Sequence, residues 1–441
     1  MSKYIYIDKK IPPYKKTIEV SSDKSLSIRT VLLASQAIGV SKISNLLDSE
    51  DVLNALKTIK KLGINYKKKK NFYEIYGHGL NSFSQKKNII LNAGNSGTLA
   101  RLILGLLVKC KNKVKLIGDK SLSKRDFLRI TKPLKLFGVN IKSNKNQLPV
   151  EIQGSEFLTP INYFENLGSA QCKSSVMLAA LNVPGITKIV AKKSRNHTEL
   201  LFKYLKIPIK IRSTNNFDII EVNGLNQFKS FDYEIPGDIS SSAFFIVLTL
   251  LSQNSQITIK RVNINDSRIG IIKILNKMNS KIFLINKKNY KGEKVADILV
   301  KSSNNLKPID CPAKLNSAAI DEFLVIFLVA AKSNGISKFR NLSELNEKES
   351  PRLDIAIRFL QMIGIKVKKN KYNIKIYGNP KLSLSGKYQI KKFLKDHRVF
   401  MMSCVAAVTF GGKWKIYDKD SIKTSFPKFL TILKNLGASI N

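Results

Sequence analysis

Along the 441-residue chain, one hydrophobic pattern recurs with a period of roughly 70 to 80 residues. A stretch that is apolar nearly all round leads into a short strand. An amphipathic segment follows, ending near Leu-Gly, and then one or two further strands. The apolar stretches begin near Leu26, Gly97, Cys172, Ser240, Asp321 and His397. In the first amphipathic segment, Val52, Leu53, Leu56, Ile59 and Leu62 form one stripe at helical spacing, while Lys57, Lys60 and Lys61 face outward. Leu62-Gly63, Phe137-Gly138, Ile363-Gly364 and Leu436-Gly437 put glycine where a helix ends in the left-handed conformation. Runs apolar on every side, such as Ala318 to Ala331, belong inside a domain. The pattern therefore predicts six compact α/β units, each with one buried and one amphipathic helix.

Six units divide naturally into two groups of three. Pro-Gly interrupts the pattern at Glu234-Ile235-Pro236-Gly237-Asp238, between the third and fourth units. Residues 1–20 precede the first unit, begin with strand-like alternation, and are expected to pair within the second group. The expected domains are thus 21–236, and 1–20 with 237–441, joined by a double hinge near 20 and 237. Ligands commonly bind where domains meet.

Polar residues gather where the apolar runs begin: Lys24-Ser25-Leu26-Ser27-Ile28-Arg29, Gly97-Thr98-Leu99-Ala100-Arg101, Ser169-Ala170-Gln171-Cys172-Lys173, Asp321-Glu322 and Asp396-His397-Arg398. Lys348-Glu349-Ser350-Pro351-Arg352 adds another cluster. Acids and strong cations beside apolar stretches are costly unless they face a polar cleft. Helix N-termini offer free amide donors and a positive dipole end, which favour phosphate and carboxylate. Lys24, Arg29, Arg125, Arg352 and Arg398 add cationic groups, and arginine grips such anions at two points. The pattern points to a small, heavily anionic ligand. Plainer readings stand beside this one. Glu349 and Arg352 fit an i,i+3 helix ion pair; Asp321, Ser25 and Ser169 fit helix caps. Arg101 fits packing of a helix start, and His397 fits a polar residue at one.

Composition narrows the classes. Hydrophobic residues make up 43% of the chain, a globular proportion. The longest apolar runs fall far short of the ~20 residues of a membrane span, and no signal-peptide block opens the sequence. Cys110, Cys172, Cys311 and Cys404 lie far apart and read as reduced core thiols. A net charge of +45 invites a nucleic-acid reading. The excess is lysine spread along the chain without aromatic interleaving, so it identifies no such partner. Three histidines (His78, His197, His397) are too few for a histidine-based metal site. Walker, Rossmann and His-Glu-x-x-His motifs are absent from the sequence.

In order along the chain, Asp23-Lys24-Ser25-Leu26-Ser27-Ile28-Arg29, Leu91-Asn92-Ala93-Gly94-Asn95-Ser96-Gly97-Thr98 and Gly118-Asp119-Lys120-Ser121-Leu122-Ser123-Lys124-Arg125 are followed by Ser169-Ala170-Gln171. Ser194-Arg195-Asn196-His197-Thr198-Glu199, Pro236-Gly237-Asp238-Ile239-Ser240-Ser241, Ile320-Asp321-Glu322, the Lys348–Arg352 cluster and Asp396-His397-Arg398 complete the series. Together they closely resemble the 3-phosphoshikimate 1-carboxyvinyltransferase (EPSP synthase) family of enolpyruvyl transferases. The resemblance implies a two-domain inside-out α/β barrel fold of six βαβαββ units, three per domain, with an interdomain active-site cleft that closes on substrate. It implies transfer of the enolpyruvyl group of phosphoenolpyruvate to the 5-hydroxyl of shikimate 3-phosphate, in the shikimate pathway to chorismate and aromatic amino acids. It further implies a cytoplasmic monomer that needs no metal or organic cofactor and binds small molecules, not nucleic acid or membrane.

By family pattern, Lys24, Ser25, Arg29, Ser169, Ala170, Gln171, Ser194, Asp321 and Lys348 bind shikimate 3-phosphate. Lys24, Gly97, Arg125, Gln171, Arg352 and Arg398 bind phosphoenolpyruvate. Asp321, Glu349 and Lys24 are the catalytic residues, with Asp321 accepting the 5-hydroxyl proton and Glu349 moving the proton at the enol carbon. The sister transferases acting on UDP-N-acetylglucosamine generally carry a cysteine in the segment matching Gly118 to Asp126, and none occurs here. A non-catalytic anion binder is disfavoured by the intact Asp321, Glu349 and Arg352. The chain departs from the pattern at Ser21-Ser22, where Pro-Gly is common. It departs again at Thr424, where some relatives carry a lysine for phosphoenolpyruvate; Lys423 is the neighbouring substitute. Gly97 stands where bulkier residues in some relatives exclude glyphosate. Millimolar glyphosate is therefore expected to inhibit the enzyme, and full activity at that concentration refutes the reading.

Overall fold

The computed structural model describes residues 4–83 and 88–441. Met1-Ser2-Lys3, the start of the expected N-terminal strand, lies outside the described residues. The chain forms two compact units. The first comprises Ser22–Ile235 with Lys291–Glu293, and the second comprises residues 4–21, Pro236–Tyr290 and Lys294–Asn441.

Each unit contains three helices whose residues are nearly all buried. They are Lys24–Ala34, Gly97–Leu106 and Ala170–Ala180 in the first unit, and Ile239–Leu251, Phe323–Lys332 and His397–Phe410 in the second. Their sequences have no polar face to turn toward water, so burial on all sides is the only stable placement. In the first unit, Gly97–Leu106 packs against both partners; in the second, all three helices touch one another. The first of these contacts needs a residue without a side chain. A Cβ on Gly105 would lie 2.2 Å from the carbonyl oxygen of Ser175 on the neighbouring helix.

Small mixed sheets cover these helices. In the first unit, Asp232–Glu234 runs parallel to Ile38–Ser44, which is followed antiparallel by Phe72–His78 and then Tyr66–Lys68. Ile89–Asn92, Val114–Ile117, Gln147–Gln153 and Asn140–Asn144 repeat the same order. So do Asn162–Glu165, Ile186–Lys192, Phe217–Asn223 and Ile209–Ser213. In the second unit, Lys15–Ile18 is the parallel edge strand beside Gln256–Asn263, followed by Glu293–Lys301 and Lys281–Tyr290. Ile336–Phe339, Asn373–Tyr377 and Val367–Asn370 form another sheet, its parallel edge reduced to the Asp310–Lys338 bridge. In the last sheet, Leu384–Ile390 is parallel to Gly411–Ile416, and Ile5–Ile7 fills the antiparallel position.

The architecture is thus a mixed α/β fold of six small sheets over buried helices. The mixed α/β class is what the structure supports, at a coarser level than the expected inside-out barrel. Among the described residues no sheet closes on itself, because each has three or four strands and its edges do not join the next. Closure needs a longer, continuously staggered set of strands.

The amphipathic helices end alike. Gly63, Gly138, Gly364 and Gly437 all have positive φ, while Lys206 (58°) and Asn279 (65°) take the corresponding places in the third and fourth repeats. The Gly105 contact leads to a direct test. Gly105→Ala should force the two helices apart and lower stability by about 1–3 kcal/mol. Urea unfolding measures the loss, and wild-type stability would reject the close-approach argument.

Candidate active site

The first-unit residues converge at the starts of its buried helices. Asp23 caps the Lys24–Ala34 helix, accepting from Leu26 N at 2.9 Å. That bond turns Lys24 and Ser25 to the rim, where both remain half-buried. The Lys24 ammonium lies 2.9 Å from Asp51, which holds its long side chain in one direction. Arg29 is one turn further in and only 4% exposed. Its Nε donates to Thr198 Oγ1 at 2.9 Å, one terminal nitrogen to Ser174 Oγ at 3.1 Å, and the other to the Ser25 carbonyl at 3.2 Å.

Gln171 joins the next two helix starts. Its amide oxygen accepts from Arg101 at 2.7 Å, and its amide nitrogen donates to Thr98 Oγ1 at 2.9 Å. Ser96 and Ser169 cap the two helices by accepting from Leu99 N and Cys172 N. A Cβ at Gly97 would lie 2.9 Å from a guanidinium nitrogen of both Arg101 and Arg125. Glycine is therefore what allows two arginines to approach one helix start. Arg101 also stacks over Phe127, 5.3 Å from the ring centroid. Ala170 is half-buried beside Gln171. Ser194 is half-buried in the loop before the His197–Tyr204 helix, with its hydroxyl oxygen shielded and unbonded. Burial pushes the Cys172 thiol up to about 11, so this neighbour of Gln171 is a poor nucleophile at neutral pH.

The second-unit residues gather around Arg352, 1% exposed at the start of the Arg352–Met362 helix. Asp396 holds it by both carboxylate oxygens, 2.8 Å from Nε and 3.2 Å from a terminal nitrogen. The other guanidinium contacts are Asp321 at 3.3 Å and Glu349. One planar cation thus fixes the directions of two carboxylates. Asp396 also accepts from Ser350 Oγ at 2.8 Å and caps the His397–Phe410 helix through Arg398 N at 2.9 Å. Arg398 donates to the Asp321 backbone carbonyl at 2.9 Å and lies 3.8 Å from its carboxylate. Lys348 approaches the same carboxylate at 3.7 Å.

Several plain readings now separate. Ser169 is a helix cap, whereas Asp23, not Ser25, caps the first helix. Asp321 sits in the turn before Glu322 and the Phe323–Lys332 helix, with its carboxylate among Lys348, Arg352 and Arg398. Glu349 precedes the helix that Arg352 begins, so their contact crosses a bend and is no helix-surface pair. Thr424 Oγ1 lies 3.3 Å from His397 Nδ1, while Lys423 is exposed and pairs with Asp420 at 2.9 Å. Asp51, Arg101 and Asp396 were not among the expected site residues. Only the placing of Asp396 at a helix start and of Arg101 one turn into one marked them in the sequence.

Residues 9–433 match the family model EPSP synthase (3-phosphoshikimate 1-carboxyvinyltransferase). The chain belongs to the EPSP synthase family. It is 38% identical over 429 residues to the 3-phosphoshikimate 1-carboxyvinyltransferase of Ruthia magnifica, covering 96% of each chain. With the enzyme of that name from Zymomonas mobilis it shares 35% identity over 437 residues, 98% of this chain and 96% of the other. An EPSP synthase structure from Acinetobacter baumannii superposes with a TM-score of 0.87 at 31% identity, covering 100% of this chain and 99% of that one. The enolpyruvyl transferase NikO from Streptomyces tendae, at 14% identity and TM-score 0.78, shares the fold.

In this EPSP synthase family member, the Asp396–Arg352 pair has a pH signature. Burial alone would raise the Asp396 carboxyl, but the charge and hydrogen bonds of Arg352, with help from His397, outweigh burial and repulsion from Glu349 and hold it below its ordinary value. A carboxyl with a depressed folded-state pKa stabilises the protein above its unfolded value, about 3.9. That contribution fades as pH falls through the lower folded-state value. Asp396→Asn should lose stability at neutral pH and show a weaker further loss on acidification. Unfolding curves between neutral and acidic pH measure both; an acid limb as steep as wild type would exclude Asp396 as its source.

Proposed function

We infer that the protein transfers the carboxyvinyl group of phosphoenolpyruvate to the 5-hydroxyl of shikimate 3-phosphate, releasing inorganic phosphate. The observation that carries this reading is the pair of carboxylates, Asp321 and Glu349, held on one buried arginine in a chain of this family. Both substrates bear a phosphate and a carboxylate, which suits the cationic helix starts of each unit.

In the proposed mechanism, Lys24, Ser25, Arg29, Ser169, Ala170, Gln171, Ser194 and Lys348 hold shikimate 3-phosphate. Lys24, Gly97, Arg125, Gln171, Arg352 and Arg398 hold phosphoenolpyruvate. Asp321 takes the proton of the 5-hydroxyl as that oxygen forms a bond to C2 of phosphoenolpyruvate. Glu349 delivers a proton to C3, giving a tetrahedral adduct. It then removes a proton from C3, the double bond re-forms, and the C2–O bond to phosphate breaks. The proton held by Asp321 passes to the departing phosphate, so that both carboxyl groups regain their starting states. Lys24 and the arginines stabilise charge on the departing phosphate. A cysteine-dependent route finds no support in the 118–126 segment, which has no thiol. Thr424, at a place where some relatives carry lysine, leaves Arg125, Arg352 and Arg398 as the principal cations for phosphoenolpyruvate.

The chain passages near 20 and 237 serve as the hinge in this reading, and the enzyme works as a cytoplasmic monomer. Burial of all four cysteines accords with a reducing compartment.

Phosphate release from phosphoenolpyruvate plus shikimate 3-phosphate tests the assignment. Release should require both substrates and fall by at least about 10²-fold in Asp321→Asn and in Glu349→Gln. Release from phosphoenolpyruvate with UDP-N-acetylglucosamine instead would transfer the protein to the sister activity.

A further inference from the structure

Behind the Ser169–Gln171 and Ser194 segments lies a set of buried polar contacts that the mechanism does not use. The Lys173 side chain has no exposed surface, and its ammonium is 2.5 Å from the Glu199 carboxylate, itself 3% exposed. One residue along each helix, Ser174 Oγ and Thr198 Oγ1 are 2.7 Å apart. Arg29 bonds to both hydroxyls. On the other side, His197 Nδ1 is 2.6 Å from Glu293, with neither side chain exposed. Three consecutive residues at the start of the His197–Tyr204 helix are therefore each tied by a buried polar side chain.

Such an arrangement needs a reason other than stability. Desolvating two charges offsets most of their attraction, and apolar residues of similar size often serve stability equally well. A buried pair of fixed geometry instead sets the spacing and rotation of the elements that carry it. Lys173 is two residues beyond Gln171 on the Ala170–Ala180 helix, and Glu199 is five beyond Ser194. Moving one helix start relative to the other would redirect Arg29, because its two hydroxyl acceptors sit on different helices.

We propose that Lys173 and Glu199 form a positioning pair for shikimate 3-phosphate, setting the spacing of the Ser169–Gln171 and Ser194 segments and the direction of Arg29. The proposal rests on the substrate assignment made above. Neither residue touches substrate; both act through the helix starts that do.

The test is a double variant, Lys173→Met with Glu199→Leu, in the full-length protein, beside a charge-swapped double, Lys173→Glu with Glu199→Lys. Calorimetric binding of shikimate 3-phosphate is measured for each, with KM for phosphoenolpyruvate at saturating shikimate 3-phosphate. The apolar double should fold with a wild-type melting temperature and bind shikimate 3-phosphate about tenfold or more weakly, with KM for phosphoenolpyruvate little changed. The swapped double should recover part of the lost affinity. Wild-type affinity in the apolar double overturns the proposal. So does failure of that double to fold, which would make the pair a folding element, or a swapped double no better than the apolar one. Absence of shikimate 3-phosphate binding by wild type overturns the substrate assignment instead, so the two failures are distinguishable.

Discussion

A helix apolar on every side has to be buried, yet its first amides still need hydrogen-bond acceptors. This constraint organises the molecule. Among the described residues, five of the six buried helices solve it with a short side chain at the cap: Asp23, Ser96, Ser169, Asp238 and Asp396. Capping uses some of the free amides and brings polar side chains to the same end. Lys24, Gly97, Gln171 and Arg398 lie in the first turn of such helices and Arg29 in the second, at or near an end already made polar by the cap. The repeat therefore reproduces a structural solution and an anion-attracting surface together.

Carboxylates are scarce in this chain, 31 against 76 lysines and arginines. Several stand beside the cations of the candidate site. Asp51 directs Lys24, Asp396 grips Arg352, and Asp321 receives Lys348, Arg352 and Arg398. These pairs hold flexible cations in fixed directions before any ligand arrives, which is where electrostatic catalysis draws its advantage over water. Much of the remaining positive charge is lysine spread along the chain.

The hydrophobic period made the six units legible, since buried helices and amphipathic ones have different sequence patterns. Polar residues at the run starts made the candidate site legible, because each motif is local. The pairings across elements were not. Nothing local to Asp396 announces that it will hold Arg352, 44 residues earlier, and Lys173 looks like an outward lysine until its helix is seen to be buried. Lys206 adopts the left-handed turn that glycine marks in four other repeats, so that helix end carried no composition signal. The arrangement of the sheets was less legible for a related reason: strand count within a repeat is local, whereas the placing of one sheet beside another is a property of the whole assembly.

The pairing of Lys15–Ile18 with Gln256–Asn263, and of Ile5–Ile7 with Gly411–Ile416, sets an order of events during synthesis. Both strands leave the ribosome well before their partners, which lie more than half of this sequence, and then nearly all of it, further along. The 22–235 segment contains every strand of its own three sheets, so it can acquire a core while the leading segment waits. Lys9, Lys10, Lys15 and Lys16, with Pro12 and Pro13 between them, are residues that discourage edge-to-edge association of unpaired strands. Residues 4–18 are thus composed for a long solvated interval before they become part of a sheet.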